Sequence, residues 1–176
     1  MTVTSLDDLF QHELQETHMA ERVILRALPM LALIGGTQTS ILDSYATQAR
    51  QRIERLEQIG KLGQGARAVT EPPIFGVLAR IDDYVASIND REALQSVAYS
   101  EFQAMRHYLL ARYAMLWACA NRLHKSEFAQ EFDAALDEVR AALSQTPNVA
   151  GDRQERDQYK GISMGERLTA MFERKK

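Results

Sequence analysis

A carboxylate lies on the apolar side of the first predicted helix, where only an ion pair or a chemical role explains it. Leu14, Glu21 and Leu28 recur at heptad spacing, so Glu21 shares the inward face of that helix. A buried carboxylate must find an arginine, a metal ion, a proton or water, because burying it alone costs several kcal/mol. Inward carboxylates from several helices of a bundle also build di-iron and di-manganese sites. The residues alone leave two interpretations open: a salt bridge to Arg52 or Arg106, and a metal site.

The other residues that could do chemistry form no complete motif. The sequence has no Glu-x-x-His pair, and His18 precedes Glu21 in the reverse order, with Glu16 a turn further back. Cys119 has no histidine at helical contact spacing, and no Gly-x-Ser-x-Gly elbow is present. The glycines that begin at Gly60 lack the Lys-Ser/Thr of a phosphate-binding loop. The sequence therefore favours a protein that is not an enzyme.

Composition narrows the class of protein further. The chain has 176 residues, of which 45% are hydrophobic and 26% charged, as expected for one domain with a real core. Its net charge of −3 is too balanced for a nucleic-acid partner. The first residues do not resemble a signal peptide and no apolar run suits a membrane helix. We therefore expect a cytoplasmic protein without a nucleic-acid or membrane partner.

Helical periodicity indicates an all-α fold with four to five bundle helices in residues 1–145. No stretch shows the alternation of a half-buried strand. Pro29 is expected to kink the first helix or to end a segment of it. A loop rich in glycine and proline, between Gly60 and Pro73, suits a crossover along the bundle. The predicted helices are Ser5–Gly35, Ser40–Ile59, Ile74–Ile88, Arg91–Leu123 and Ser126–Leu143.

The carboxyl-terminal part of the chain, residues 146–176, has a different character. Its first half is polar and predicts a linker, and Ile162–Lys176 predicts a short amphipathic helix flanked by Arg and Lys. This helix is expected to pack on the bundle or on a twin subunit, or to dock onto a protein partner.

Several short motifs follow one another along the chain: Leu6-Asp7-Asp8-Leu9-Phe10, Glu16, Ala20-Glu21, Ala27-Leu28-Pro29, Arg52-Ile53-Glu54-Arg55-Leu56-Glu57-Gln58-Ile59, His107-Tyr108 with Tyr113, and Ala120 with Leu123. In this order they resemble the bacterial YciE/YciF-like proteins, a family of ferritin-like bundles found among stress-associated genes. The similarity covers about residues 5 to 145 and rests on the order and spacing of modest motifs. It implies a ferritin-like antiparallel bundle and a homodimer.

The departures from that family bear on the metal site. Of the carboxylates that the resemblance implies, Glu21 is retained, and Asp137-Glu138 partly replaces the adjacent glutamates of the last helix. Arg50 and Arg106 stand where cations would bind, and positive charge there repels metal and can neutralise Glu21.

We therefore predict a degenerate di-metal site in a non-catalytic structural or stress-associated protein that needs no cofactor. The alternative is a ferritin-like protein that binds iron or manganese at an incomplete site and keeps a residual redox or storage role. The candidate metal ligands are Glu16, His18, Glu21 and Glu138.

Overall fold

A computed structural model describes residues 3–35, 39–60 and 73–144 of the chain, and this part contains five α-helices and no strand. The prediction of an all-α bundle is therefore confirmed, with helix ends within a residue or two of those expected. The helices are α1 (Leu6–Gly35), α2 (Thr39–Gly60), α3 (Ile74–Ser87), α4 (Arg91–Arg122) and α5 (Ser126–Ser144).

Local side-chain and backbone interactions fix the ends of three helices. Ser5 Oγ accepts from the Asp8 amide at 3.0 Å and Asp8 Oδ2 accepts from the Ser5 amide at 3.1 Å, a reciprocal cap at the start of α1. Asp90 caps α4 by accepting from the Ala93 amide at 2.7 Å. His124 adopts a left-handed conformation with a φ of 56°, which ends the turn between α4 and α5.

The first helix continues past the proline that was expected to kink it or to end a segment of it. Pro29 lies inside α1, which continues to Gly35, so the prediction that a segment ends at Pro29 is wrong. Proline removes one backbone hydrogen bond, but the residues on both sides of it bury apolar side chains in the bundle, among them Leu28 and Leu31. That burial offsets the lost bond.

Four helices surround the core in the order α1, α2, α5, α4, and α3 lies against α4 and α1. Leu14, Glu21 and Leu28 are all buried, so the inward seam predicted for α1 is confirmed. Rings from two helices meet at one end, where Phe10 stacks on Phe128 at 6.3 Å between centroids. The bundle therefore brings side chains of α1, α2, α4 and α5 together around Glu21.

None of the helices in the described ranges combines the length and the apolar character needed to cross a bilayer. The predicted loop up to Pro73 falls mostly on residues 61–72, and the predicted linker and carboxyl-terminal helix fall on residues 146–176. Both stretches lie outside the described residues, so those predictions and the domain boundary after residue 145 stay predictions.

Candidate functional site

The centre of the bundle contains an ion pair between α1 and α2. Arg52 Nε lies 2.5 Å from Glu21 Oε1, and Arg52 Nη2 donates to Glu21 Oε2 at 3.2 Å. Both side chains are fully buried, with 0% of either exposed. Burial lowers the pKa of Arg52, but the adjacent Glu21 carboxylate more than offsets this and raises its pKa above the ordinary value. The guanidinium is therefore permanently charged, and its two-point contact fixes the Glu21 carboxylate.

A second carboxylate approaches the same guanidinium from α5. Glu138 Oε2 lies 3.5 Å from Arg52 Nη1, within ion-pair distance but too far for a good hydrogen bond. Glu138 is held mainly by Arg55, whose Nη2 donates to both carboxylate oxygens at 2.8 Å. Glu138 and Arg55 are about one-third exposed, so water screens this outer pair more than the inner one. Arg52 thus stands between the two candidate ligands Glu21 and Glu138.

Two buried tyrosines complete the cluster. Tyr113 of α4 donates its hydroxyl proton to Glu21 Oε1 at 2.9 Å, so that oxygen accepts from two donors. Tyr45 of α2 presents its ring to Arg52, with 5.1 Å from the guanidinium carbon to the ring centroid. Burial, and next the nearby charge of Glu21, raises the pKa of both tyrosines. Both hydroxyls are therefore neutral at physiological pH.

The other two candidate ligands contact different partners. Glu16 Oε2 accepts from Arg112 Nη1 at 2.7 Å. His18 Nε2 lies 3.0 Å from Glu57 Oε1 at a partly exposed position between α1 and α2. The structure therefore brings Glu21 and Glu138 together around Arg52 and places Glu16 and His18 in separate pairs.

A second group of potential ligands lies five to nine residues before Glu21 on α1. One ligand atom each of His12, Glu13 and Glu16 lies within 4.8 Å of the others. Arg112 Nη1 donates to both carboxylates of this group, at 2.7 Å in each case. A cation would compete there with the Arg112 guanidinium, which already forms ion pairs with both carboxylates.

The arginine that neutralises Glu21 is Arg52, the first of the two expected from the helical seam. Arg106 is buried too, but its guanidinium donates to the Ala142 carbonyl and, at 2.6 Å, to Gln103 Oε1. Arg50, which the family comparison placed near the site, is exposed. Arg52 itself lies in the apolar stripe of α2, so the burial of its side chain was predictable from the sequence.

Sequence reasoning missed three members of the cluster, Tyr45, Tyr113 and Arg55. Tyr113 lies four residues after the buried Leu109 and three before the buried Leu116, a spacing that assigns it to the inner face of α4. Arg55 carries no such signal, because it is three residues after Arg52 on the border of the buried stripe. Only the packing of α2 on α5 shows that it reaches Glu138.

The side chains around Glu21 fit an internal salt bridge better than a metal ion. A di-metal centre requires several carboxylates with free lone pairs directed at one point. Here Arg52 engages both oxygens of Glu21 and lies next to Glu138, while Tyr113 takes a further lone pair. A metal ion at this point would be repelled by Arg52 and would have to displace it, so the present arrangement does not fit one.

The fold and the cluster define a helical-bundle protein with an arginine-bridged acidic centre, and the sequence comparisons identify its family. Residues 5–157 match the family described as "Domain of unknown function (DUF892)", and the chain belongs to that family. Protein YciF of Escherichia coli (strain K12) is 22% identical over 145 residues, which cover 80% of this chain and 87% of YciF. The resemblance to YciE/YciF-like proteins is thereby confirmed.

Two solved structures share the fold. One is described as "YcfI, a putative structural protein from Rhodopseudomonas palustris"; its TM-score is 0.73 at 30% identity, covering 81% of this chain and 93% of the other. The other is described as the Escherichia coli stress protein YciF, with a TM-score of 0.69 at 21% identity, covering 80% and 91% of the two chains.

Proposed function

We propose that this protein is a non-catalytic, ferritin-like bundle with a structural or stress-associated role, in which an arginine replaces the metal centre. The observation that carries the proposal is the position of Arg52, bound to Glu21 and adjacent to Glu138. The printed descriptions of the similar proteins, a stress protein and a structural protein, support the same class of role. No catalytic step is part of the proposal.

The energetics of the cluster support a permanent ion pair. Removing Arg52 from Glu21 to admit a cation would leave a guanidinium without its main counter-charge in a fully buried position. Breaking a buried pair costs about 3–5 kcal/mol, which the metal would have to overcome before it gained any binding energy. Cys119 offers no alternative chemistry, because burial raises the pKa of its thiol and keeps it protonated.

Metal content of the purified full-length protein tests the proposal. We expect only traces of metal by mass spectrometry after incubation with Fe(II) or Mn(II) and desalting, and no rise in melting temperature with either ion. Arg52→Gln removes the guanidinium from between the two carboxylates. The melting temperature of this variant should therefore rise when Fe(II) or Mn(II) is added. Near-stoichiometric metal in the wild type, lost in Glu21→Gln, would refute an arginine-bridged centre.

A metal-binding protein with a residual redox or storage role is the second candidate. It is favoured by the proximity of His12, Glu13 and Glu16, whose ligand atoms lie within 4.8 Å of one another. The two candidates respond differently to substitution. Metal bound at this group would be lost in Glu16→Gln and kept in Glu21→Gln, whereas metal at the central cluster would show the reverse.

The proposal also includes a homodimer in the cytoplasm. Trp117 of α4 is 42% exposed, and exposed aromatic side chains are enriched at contacts between protein chains. Light scattering after size exclusion should give a dimer, and Trp117→Glu should yield a monomer if α4 forms the interface.

Deleting residues 146–176 tests the proposed partner contact of the tail. If the tail binds a partner, the truncated protein should lose a bound protein or change its oligomeric state.

A further inference from the structure

The outward face of α4, a helix that the structure describes in full, carries no acidic residue, lysine or arginine for about five turns. The charged residues of the same segment lie elsewhere: Glu101 and Arg106 are buried. Arg112 is half-buried and forms ion pairs with two glutamates of α1. The residues of the outward face recur three and four positions apart, as one side of a helix requires. We call this face the α4 stripe, and it consists of Ser100, Ala104, His107, Ala111, Met115 and Ala118.

The exposed sides of the other four helices are charged. Exposed acidic or basic residues occur on each of them, for example Arg26 on α1, Glu54 on α2, Asp83 on α3 and Glu131 on α5. The central part of an interface between protein chains is depleted in charged residues, and interfaces are enriched in methionine. Met115 is 42% exposed within the α4 stripe. The stripe therefore lacks the charges of a solvated helix face and exposes a side chain that is common at contacts.

Alanines at heptad spacing allow another helix to pack along the α4 stripe. Ala104, Ala111 and Ala118 follow one another at intervals of seven residues, so they form one seam on α4. A seam with this period stays turned towards a partner helix when the two helices cross at a shallow angle. Small side chains at the contact let the two helix axes approach to about 8–10 Å. An α-helix with an equally uncharged face is therefore the partner that fits.

The order of side-chain sizes along the stripe is the same in both directions from Ala111. Ala104 and Ala118 lie seven residues away on either side, and His107 and Met115 lie four residues away. Antiparallel pairing about a twofold axis at Ala111 therefore places Ala104 opposite Ala118 of the second copy. The same pairing places His107 beside Met115 of that copy, whereas parallel pairing would bring the two His107 side chains together. A strongly acidic or basic peptide would find no counter-charge on the stripe, so charge also favours a second copy.

We propose that the α4 stripe is the homodimer interface, in which two copies of α4 pack antiparallel with Ala111 on the twofold axis. This inference rests on the homodimer of the proposed function and specifies its surface and its orientation. The stripe is about 27 Å long and a helix is about 10–12 Å wide, so the footprint is about 300 Å² per copy. Interfaces of standard size bury about 800 Å² per partner, so we expect a modest affinity, with a Kd in the micromolar range.

Disulfide cross-linking of the full chain by diamide tests this arrangement. Helix axes about 9–10 Å apart place facing Cα atoms about 4–5 Å apart, a distance that a disulfide spans. Ala111→Cys should therefore give a covalent dimer. Ala104→Cys alone should not, because its two copies lie about 21 Å apart along the helix axis, but a mixture with Ala118→Cys should cross-link. The native thiol of Cys119 is buried, so it does not compete.

Ala134, an exposed alanine in the middle of α5, provides the matched controls Ala134→Cys and Ala134→Glu. Ala111→Glu brings two carboxylates together at the twofold axis and should raise the dimer Kd at least about 100-fold in sedimentation equilibrium, with unchanged circular dichroism. Ala134→Glu should leave the Kd unchanged, and Ala134→Cys should not cross-link.

The outcomes separate this inference from the homodimer itself. A wild-type protein that stays monomeric at high micromolar concentration would refute both. A wild-type dimer that Ala111→Glu leaves intact would refute the α4 stripe alone and keep the homodimer. Cross-linking through Ala104→Cys alone would show parallel helices and overturn the proposed orientation.

Discussion

The Glu21–Arg52 pair makes a quantitative prediction about stability. Glu21→Ala leaves the Arg52 guanidinium fully buried, with only Glu138 at 3.5 Å as a counter-charge. Breaking a buried pair costs about 3–5 kcal/mol, and the remaining Glu138 favours the low end of that range. The Tyr113 hydroxyl also loses its acceptor, which adds about 1 kcal/mol. We expect a loss of about 4 kcal/mol, a large share of the stability of an ordinary domain.

Urea unfolding followed by circular dichroism at constant pH measures this loss. With a slope of about 2–3 kcal/mol per molar urea, the midpoint should fall by about 1.5 M. The neighbouring Asp137 is the matched control, because its pair with Arg140 is largely exposed and Asp137→Ala should cost under about 0.5 kcal/mol.

The double variant Glu21→Leu/Arg52→Met separates charge from packing. Replacing both members of a buried ion pair by apolar residues of similar volume is often neutral or stabilising, so this variant should recover most of the loss. The reasoning fails if Glu21→Ala costs less than about 1 kcal/mol, or if the double variant is as unstable as the two single changes added together.

Three further predictions concern single positions. Tyr113 keeps its proton in the folded state because burial and Glu21 raise its pKa, while in the unfolded chain it ionises near pH 10. Stability should therefore fall above pH 10 by about 1.4 kcal/mol per pH unit from this group, and Tyr113→Phe should show a shallower fall in alkaline urea titrations. Asp90→Ala removes the amino-terminal cap of α4 and should cost about 1 kcal/mol by urea unfolding; no loss would mean that the cap is dispensable. His124→Gly relieves a left-handed backbone and should raise stability by up to about 1 kcal/mol, whereas a lower melting temperature would show that the His124 side chain matters more than its φ.

The helices and the inward carboxylate were predictable because each depends on spacing within one segment. The spacing of apolar residues assigned Glu21 to the buried face of α1 before any partner was known. The choice between Arg52 and Arg106 was not predictable, since both lie on buried faces of their helices. That choice depends on the rotation and stagger of one helix against another, which no local pattern encodes.

The Arg55–Glu138 ion pair could not be predicted from the sequence either. These residues are separated by 83 positions in the chain and belong to helices whose mutual approach depends on the whole bundle. Neither side chain is fully buried, so neither shows as a polar break in an apolar stripe. Such border pairs follow from tertiary packing alone.

An arginine at the centre of the bundle also changes what the cluster can do for the fold. Glu21, Arg52, Tyr113 and Glu138 come from α1, α2, α4 and α5, so one polar network connects all four helices around the core. A metal ion could join the same helices, but it would leave when chelated or when its oxidation state changed. A guanidinium belongs to the chain and stays charged at every physiological pH. The network therefore holds the four helices together under conditions that would strip a metal, which suits a bundle whose proposed role is structural.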